Sequence, residues 1–217
     1  MPLPFRAVIF DLDGLMLDTE SIARLTMQKA ARELGYDLTD ELFLRLVGRT
    51  GADGSAIMRE QWGADFPCGS LWERTTRHWD HHVAINGIPL KTGLIELLDF
   101  LEGRPIRKAV ATSSKRDSAH AKLGVLAQRF DVLVTGDEVR HGKPAPDIFL
   151  LAAERLGVAA GDCIVLEDSR PGLQAARAAG MTAIMVPDLI PADEEVAHVC
   201  HSLHEVQAWL KDRLESV

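Results

Sequence analysis

The chain has few of the features that mark secreted, membrane-spanning or nucleic-acid-binding proteins. Its 217 residues include three cysteines and no C-x-x-C pair, a pattern that indicates reduced thiols and a cytoplasmic location rather than a disulfide framework. No run of about 18 apolar residues occurs, at the start or elsewhere, so we expect neither a signal peptide nor a membrane span. The net charge of -8 argues against nucleic acid or an anionic membrane as the main partner.

The most informative stretch is Ala7–Gly14, which reads AVIFDLDG. Its first four residues are apolar and rich in β-branched and aromatic types, which predicts a strand buried on both faces. Carboxylates at the end of a buried strand are costly unless a cation or hydrogen-bond donors lie nearby. Asp11 and Asp13 therefore indicate either a binding site or an ordinary strand-end turn, where aspartate and glycine are also common.

The hydrophobic pattern divides the chain into two kinds of segment. Apolar residues at helical spacing, with capping residues and glycine stops, predict four helices and no strand between Leu17 and Ile85. After a predicted hinge at Asn86–Pro89, short apolar strands alternate with helices, which is typical of a parallel sheet covered on both faces. The sequence therefore predicts a doubly wound, Rossmann-like α/β core of residues 1–16 and 86–217, with an all-helical domain of residues 17–85 inserted after the first strand.

Polar residues follow the predicted strands of this core. The second strand ends in Thr112 and Ser113, the third leads towards Lys143, and the fourth ends in Glu167 and Asp168. Ligands of open parallel sheets bind beyond the carboxyl ends of the strands, so we expect these side chains to meet the two aspartates of the first strand. Four carboxylates in one crevice would repel one another unless a cation such as Mg²⁺ lay among them. The hydroxyls, the lysine and the metal ion would together form a phosphate-binding site.

Four motifs in this order, DLDG, ATSS, GKPAPD and EDS, resemble those of the haloacid dehalogenase superfamily. The similarity spans essentially the whole chain and is greatest for the branch of phosphatases and sugar phosphomutases with a helical cap. The resemblance implies that Asp11 is a nucleophile that forms an aspartyl-phosphate, and that Asp13 is the general acid and base. It also implies Mg²⁺ bound by the Asp11 side chain, the Asp13 backbone carbonyl, Asp168 and water.

The same resemblance assigns roles to the remaining strand-end residues. The Thr112 hydroxyl and the Ser113 backbone N–H would donate to phosphoryl oxygens, and Lys143 would supply a fixed positive charge to the phosphate and to Asp11. Glu167 would assist the metal through water or through another ligand.

Three residues of the predicted helical domain are weaker candidates. Thr19 and Glu20, where the chain enters this domain, either face the crevice or cap the first helix, and capping is the favoured interpretation for Thr19. Arg49, between two predicted helices, either binds a substrate anion when the cap closes or is simply solvated.

The resemblance predicts a Mg²⁺-dependent phosphatase that acts on a small phosphorylated metabolite, such as a sugar phosphate or a nucleotide-related compound, as a monomer or weak homodimer. One alternative is a β-phosphoglucomutase-like enzyme. Ala23 and Gly51 stand where such a mutase would carry a histidine and a phosphate-binding arginine, which favours hydrolysis. Another alternative is a non-catalytic phosphoacceptor, but receiver domains of that kind lack both the helical insertion and a carboxylate at the position of Asp13.

Overall fold

The structure, a computed structural model, describes residues 4–47, 51–189 and 198–215. Within these residues lie five strands, β1 (Ala7–Phe10), β2 (Arg107–Thr112), β3 (Val132–Thr135), β4 (Cys163–Glu167) and β5 (Thr182–Met185). The α-helices between and after them are α1 (Thr19–Glu33), α2 (Asp40–Leu46), α3 (Gly51–Trp62), α4 (Cys68–Asn86), α5 (Leu94–Glu102), α6 (Arg116–Leu123), α7 (Asp147–Leu156), α8 (Arg170–Ala178) and α9 (Leu203–Glu215). Among the residues described, no helix has the length and apolar character needed to cross a bilayer.

The five strands form one parallel sheet in the order β3-β2-β1-β4-β5. β1 lies in the middle, where Ala7 is in register with Arg107 of β2 on one side and with Cys163 of β4 on the other. All four residues of β1 are buried, as a continuous apolar run predicts for a central strand. The chain moves outward from β1 in one direction and from β4 in the other, so the crevice at the carboxyl ends of these two strands is the expected ligand site. The predicted doubly wound α/β fold is confirmed.

The core beneath this crevice comes from apolar residues of the strands and of α7. Phe149 on α7 is fully buried and packs in one cluster with Ile9 of β1 and Val165 of β4. The helix presents Phe149, Ala152, Ala153 and Leu156 to this cluster, a spacing that places them on a single face. This packing fixes the strands whose ends carry the site.

Contacts within the chain divide it into two compact units, of which the helical one comprises Asp18–Pro89. Inside it α1 packs along α4, and three aromatic rings stack with centroids 4.5–5.3 Å apart, those of Tyr36, Trp62 and Phe66. The predicted boundary between residues 85 and 86 falls inside α4, which continues through Asn86. Gly87, with a φ of 71°, ends that helix. That the helical unit is a cap over the crevice stays a prediction.

The first helix of this unit corrects the interpretation of Thr19. The side chain of Asp18 accepts a hydrogen bond from the backbone N–H of Ser21 at 3.3 Å, so Asp18 is the capping residue. Thr19 is already the first residue of α1, where its own hydroxyl no longer lies in the capping position. Its side chain is buried, and its hydroxyl has no hydrogen-bond partner among the residues that the structure describes.

Candidate active site

Asp11 and Lys143 form a buried ion pair at the carboxyl end of β1. The Nζ of Lys143 donates to Oδ1 of Asp11 at 2.5 Å and to the backbone carbonyl of Ala111 at 3.2 Å. It also donates to Oε1 of Glu167, the last residue of β4. Asp11 is 7% exposed, the Lys143 side chain is 6% exposed, and the Glu167 side chain is fully buried. One lysine thus joins the ends of β1, β2 and β4.

The first turn of α8 holds Glu167 in this arrangement. Oε2 of Glu167 accepts hydrogen bonds from the backbone N–H of Ser169 at 3.2 Å and from its hydroxyl at 2.8 Å. A Cβ atom on Gly172 would lie 1.9 Å from the Glu167 carboxylate, so only glycine leaves room for the glutamate there. Both oxygens of Glu167 are therefore occupied by protein donors, which makes it a support for Lys143.

Burial and like charge dominate the electrostatics of the two aspartates nearest to this lysine. Burial raises the pKa of Asp11 to about 7, and the positive charge of Lys143 opposes the rise without cancelling it. Burial also raises the pKa of Asp168, and the negative charges of Glu167 and Asp11 raise it further. Burial alone would lower the pKa of Lys143, but attraction to Asp11 and Glu167 outweighs it and the pKa is raised. If Asp11, Asp168 and Glu167 were all ionised, three negative charges would face one ammonium, and the raised pKa values of the two aspartates reflect this excess charge.

This excess charge suits a divalent cation. The carboxylate of Asp168 lies against Gly14, since a Cβ there would be 2.2 Å from Oδ2 of Asp168. Gly14 has a φ of 83°, a backbone conformation that other residues rarely adopt. The described residues contain no group of three or more histidine, cysteine, aspartate or glutamate side chains arranged to hold a metal. The predicted set needs only two side chains, those of Asp11 and Asp168, with a backbone carbonyl and water. Such a set fits Mg²⁺, which keeps several waters and takes one or two carboxylates.

Asp13 has contacts that no motif predicted. Oδ1 of Asp13 accepts from Nζ of Lys122 at 2.6 Å, and Oδ2 accepts from the hydroxyl of Ser114 at 2.8 Å. Ser114 lies just after β2, and Lys122 lies in the last turn of α6. A lysine in a last helical turn is common because it interacts favourably with the helix dipole, so no sequence pattern singles out Lys122.

Thr112 and Ser113 differ in their surroundings. Thr112 is 1% exposed at the end of β2, and its hydroxyl oxygen accepts from the backbone N–H of Ser114 at 3.1 Å. The hydroxyl proton is then left to donate to another acceptor. Ser113 is exposed and its carbonyl lies so close to Gly136 that a Cβ there would be 2.4 Å away. The neighbouring ends of β2 and β3 are thus held together behind the predicted phosphate-binding residues.

Among the candidates in the helical unit, only Glu20 has a described place at a cavity. This cavity of about 680 Å³ lies within the unit and is lined by apolar side chains of α1, α2, α3 and α4 with Glu20 and Ser55. Ala23 and Gly51 line it as well, so the two positions that distinguish a mutase by sequence meet at one cavity. Arg49 lies outside the described residues.

Comparisons with known proteins identify the family of the chain. The chain matches the family model described as haloacid dehalogenase-like hydrolase over residues 8–186. It is 32% identical over 207 residues to a phosphorylated carbohydrates phosphatase of Thermotoga maritima, covering 94% of this chain and 90% of that protein. It is 36% identical over 185 residues to the fructose-1-phosphate phosphatase YqaB of Escherichia coli, covering 84% and 96%. A HAD family hydrolase from Deinococcus radiodurans, crystallised with phosphate and sodium, superposes with a TM-score of 0.83 at 29% identity, covering 98% and 97%. The chain therefore belongs to the haloacid dehalogenase-like hydrolase family, as its motifs predicted.

Proposed function

We propose that this enzyme is a Mg²⁺-dependent phosphatase that hydrolyses a small phosphomonoester, with a sugar phosphate as the substrate class. The observation that supports the proposal most is the buried contact of Asp11 with Lys143 at the end of the central strand. A buried carboxylate beside a fixed ammonium is a nucleophile held next to the charge that would draw in a phosphoryl group.

In the first half of the reaction, one oxygen of Asp11 attacks phosphorus in line with the departing oxygen. A bond forms between the Asp11 carboxylate and phosphorus, and the bond from phosphorus to the substrate oxygen breaks. Asp13 gives its proton to that departing oxygen, which leaves as an alcohol. Lys143 and the hydroxyl of Thr112 bind the oxygens of the phosphoryl group during the transfer.

In the second half, water hydrolyses the aspartyl-phosphate. Asp13, now without its proton, accepts one from water as the water oxygen bonds to phosphorus, and the bond from phosphorus to Asp11 breaks. Phosphate is released and the Asp11 carboxylate is restored. Asp11, Asp168 and the carbonyl of Asp13 would hold Mg²⁺, which when bound would neutralise the charge of the phosphoryl oxygens.

The substrate class rests on the relatives. Two relatives that resemble the chain over most of their length carry the names of phosphatases of phosphorylated carbohydrates and of fructose 1-phosphate. A phosphomutase is less well supported, because Ala23 and Gly51 offer neither a base nor a cation where a mutase would bind the second phosphate.

The proposal is tested with a panel of phosphorylated metabolites, assayed for released phosphate with and without Mg²⁺. Asp11→Asn should abolish turnover of the panel and of p-nitrophenyl phosphate while its circular dichroism spectrum remains native. Asp99→Asn, which replaces an exposed aspartate paired with Arg129, should keep full activity as the matched control. Full activity of Asp11→Asn would refute the nucleophile. For the mutase alternative, β-glucose 1-phosphate with a bisphosphate primer should yield free phosphate and not glucose 6-phosphate.

A further inference from the structure

Two side chains, Ser114 at the end of the ATSS motif and Lys122 outside the motifs, enclose the carboxylate of Asp13. Nζ of Lys122 donates to Oδ1 of Asp13 at 2.6 Å, and the Ser114 hydroxyl donates to Oδ2 at 2.8 Å. Nζ of Lys122 also donates to the Ser114 hydroxyl oxygen at 3.1 Å. The three side chains therefore form a closed triangle of hydrogen bonds, in which every contact supports the other two.

Ser114 is itself held in place by hydrogen bonds of its backbone, and Lys122 is largely buried. The backbone N–H of Ser114 donates to the Thr112 hydroxyl at 3.1 Å, and the carbonyl of Ser114 accepts from the N–H of Gly136 at 3.0 Å. The side chain of Lys122 is 17% exposed although it belongs to the last turn of a surface helix. Because each oxygen of Asp13 has its own donor, rotation of the carboxylate breaks at least one hydrogen bond.

Each lysine of the site contacts a different aspartate. Among the described residues, Lys143 contacts Asp11 and Lys122 contacts Asp13. A lysine whose only role was to complement the dipole of α6 would be equally stabilised with its side chain pointing into solvent. Its mostly buried ammonium instead reaches a residue 109 positions away in the chain.

We propose that Lys122 and Ser114 are positioning residues that hold the Asp13 carboxylate in the orientation required for proton transfer. This inference rests on the proposed phosphatase function, in which Asp13 first donates a proton to the departing oxygen and later accepts one from water. Proton transfer requires that the carboxyl oxygen lie within hydrogen-bond reach of its partner, so a freely rotating carboxylate would be correctly placed for only a fraction of the time.

The role predicts a dependence on the leaving group that a purely structural residue would not produce. A sugar alkoxide needs the proton of Asp13 in order to depart, whereas p-nitrophenolate is stable without one. Loss of Lys122 should therefore slow formation of the phosphoenzyme from a sugar phosphate and spare its formation from p-nitrophenyl phosphate. Hydrolysis of the phosphoenzyme should be slowed in both cases, since the base is the same.

The test compares Lys122→Met and Ser114→Ala with the wild type on p-nitrophenyl phosphate and on the sugar phosphate that the metabolite panel identifies. For Lys122→Met we expect kcat on the sugar phosphate to fall about 10- to 100-fold with KM changed less than about threefold. Single-turnover release of p-nitrophenol should stay within about twofold of wild type. Ser114→Ala should shift the same rates in the same direction by a smaller factor. Lys211→Met, which removes an exposed lysine of α9, should change nothing.

A further arm places Lys122→Met in an Asp13→Asn background, where it should cause no additional loss, because the residue acts through Asp13. Any one of three results for Lys122→Met would overturn the inference. These are an unchanged kcat on the sugar phosphate, an equal slowing of the first turnover on both substrates, or a full additional loss of activity in the Asp13→Asn background. Should Lys122→Met not fold, Ser114→Ala decides by the same criteria. A wild type that turns over no phosphomonoester would refute the proposed function and this inference together, whereas an active wild type with an unaffected Lys122→Met refutes the inference alone.

Discussion

Replacement of Lys143 by methionine should destabilise the protein, and the loss should grow with pH. The substitution keeps the length of the side chain but leaves Asp11 and Glu167, both buried, without their shared ammonium. Removal of one partner from a buried ion pair costs about 3–5 kcal/mol of unfolding free energy. Glu167 keeps its hydrogen bonds from Ser169, so Asp11 is the carboxylate that is more strongly destabilised by the loss of the ammonium.

The pH dependence follows from the titration of Asp11. Its pKa in the metal-free protein is about 7, and Lys143 is the charge that restrains it from rising further. At pH 6 the carboxyl group carries a proton in both proteins, so its contribution to the difference between them is small. Above pH 7, Asp11 of the wild type ionises beside Lys143 without further loss of unfolding free energy. In the variant Asp11 either keeps its proton or ionises without a partner. The difference in unfolding free energy should therefore increase by about 1.4 kcal/mol per pH unit above pH 7.

The assay is urea unfolding in the presence of EDTA at pH 6 and pH 8, followed by circular dichroism. Lys211→Met, whose lysine forms an exposed pair with Glu215 at 3.8 Å, is the matched control and should lose less than about 1 kcal/mol at both pH values. A loss by Lys143→Met that equals the control, or one that is the same at pH 6 and pH 8, would refute the electrostatic account of this lysine.

Two further predictions concern the metal and the nucleophile. Gly14→Ala should raise the Mg²⁺ concentration needed for half-maximal activity about 10- to 100-fold, because the new Cβ would displace the carboxylate of Asp168. The control is Gly35→Ala, which introduces the same backbone strain at a φ of 84° but places its Cβ where no atom lies within 4 Å. This control should leave the Mg²⁺ requirement unchanged. In EDTA, the melting temperature of the wild type should fall relative to that of Asp11→Asn as pH rises from 4 to 7. The pKa of Asp11 is about 7 in the folded protein against an ordinary value of 3.8. The stability that the protonated carboxyl group provides at low pH is therefore lost as the pH rises. Millimolar Mg²⁺ should reverse that fall, and a parallel pH profile for the two proteins, measured by calorimetry, would contradict the assignment.

The parts of this molecule that follow from local pattern were predictable from the sequence. A short apolar run rich in β-branched and aromatic residues is typical of a central strand, so β1 and the strand-end position of Asp11 were predicted correctly. The contact of Lys143 with Asp11 agrees with the role that the family resemblance implied. The start of α4 at Cys68 does not follow from local pattern, because cysteine and glycine are weak helix formers and packing against α1 overrides that preference.

The contacts of Asp13 were not predictable, for a physical reason. Lys122 and Asp13 are distant in the chain and come together only because α6 follows the strand next to β1. Neither hydrophobic periodicity nor a short motif encodes a hydrogen bond between two such positions. The same holds for the space that Gly172 leaves for Glu167, which depends on how α8 leaves β4.

The central place of β1 has a consequence for how the protein is made. Cys163 on β4 is synthesised roughly 8–30 s after its partner Ala7 at a rate of about 5–20 residues per second. During that interval the helices between them can form from local contacts, whereas β1 is an apolar strand without its second neighbour. The segment that carries Asp11 is therefore an incompletely paired apolar strand during this interval, and the carboxylates of Asp11, Glu167 and Asp168 meet only after β4 has been synthesised.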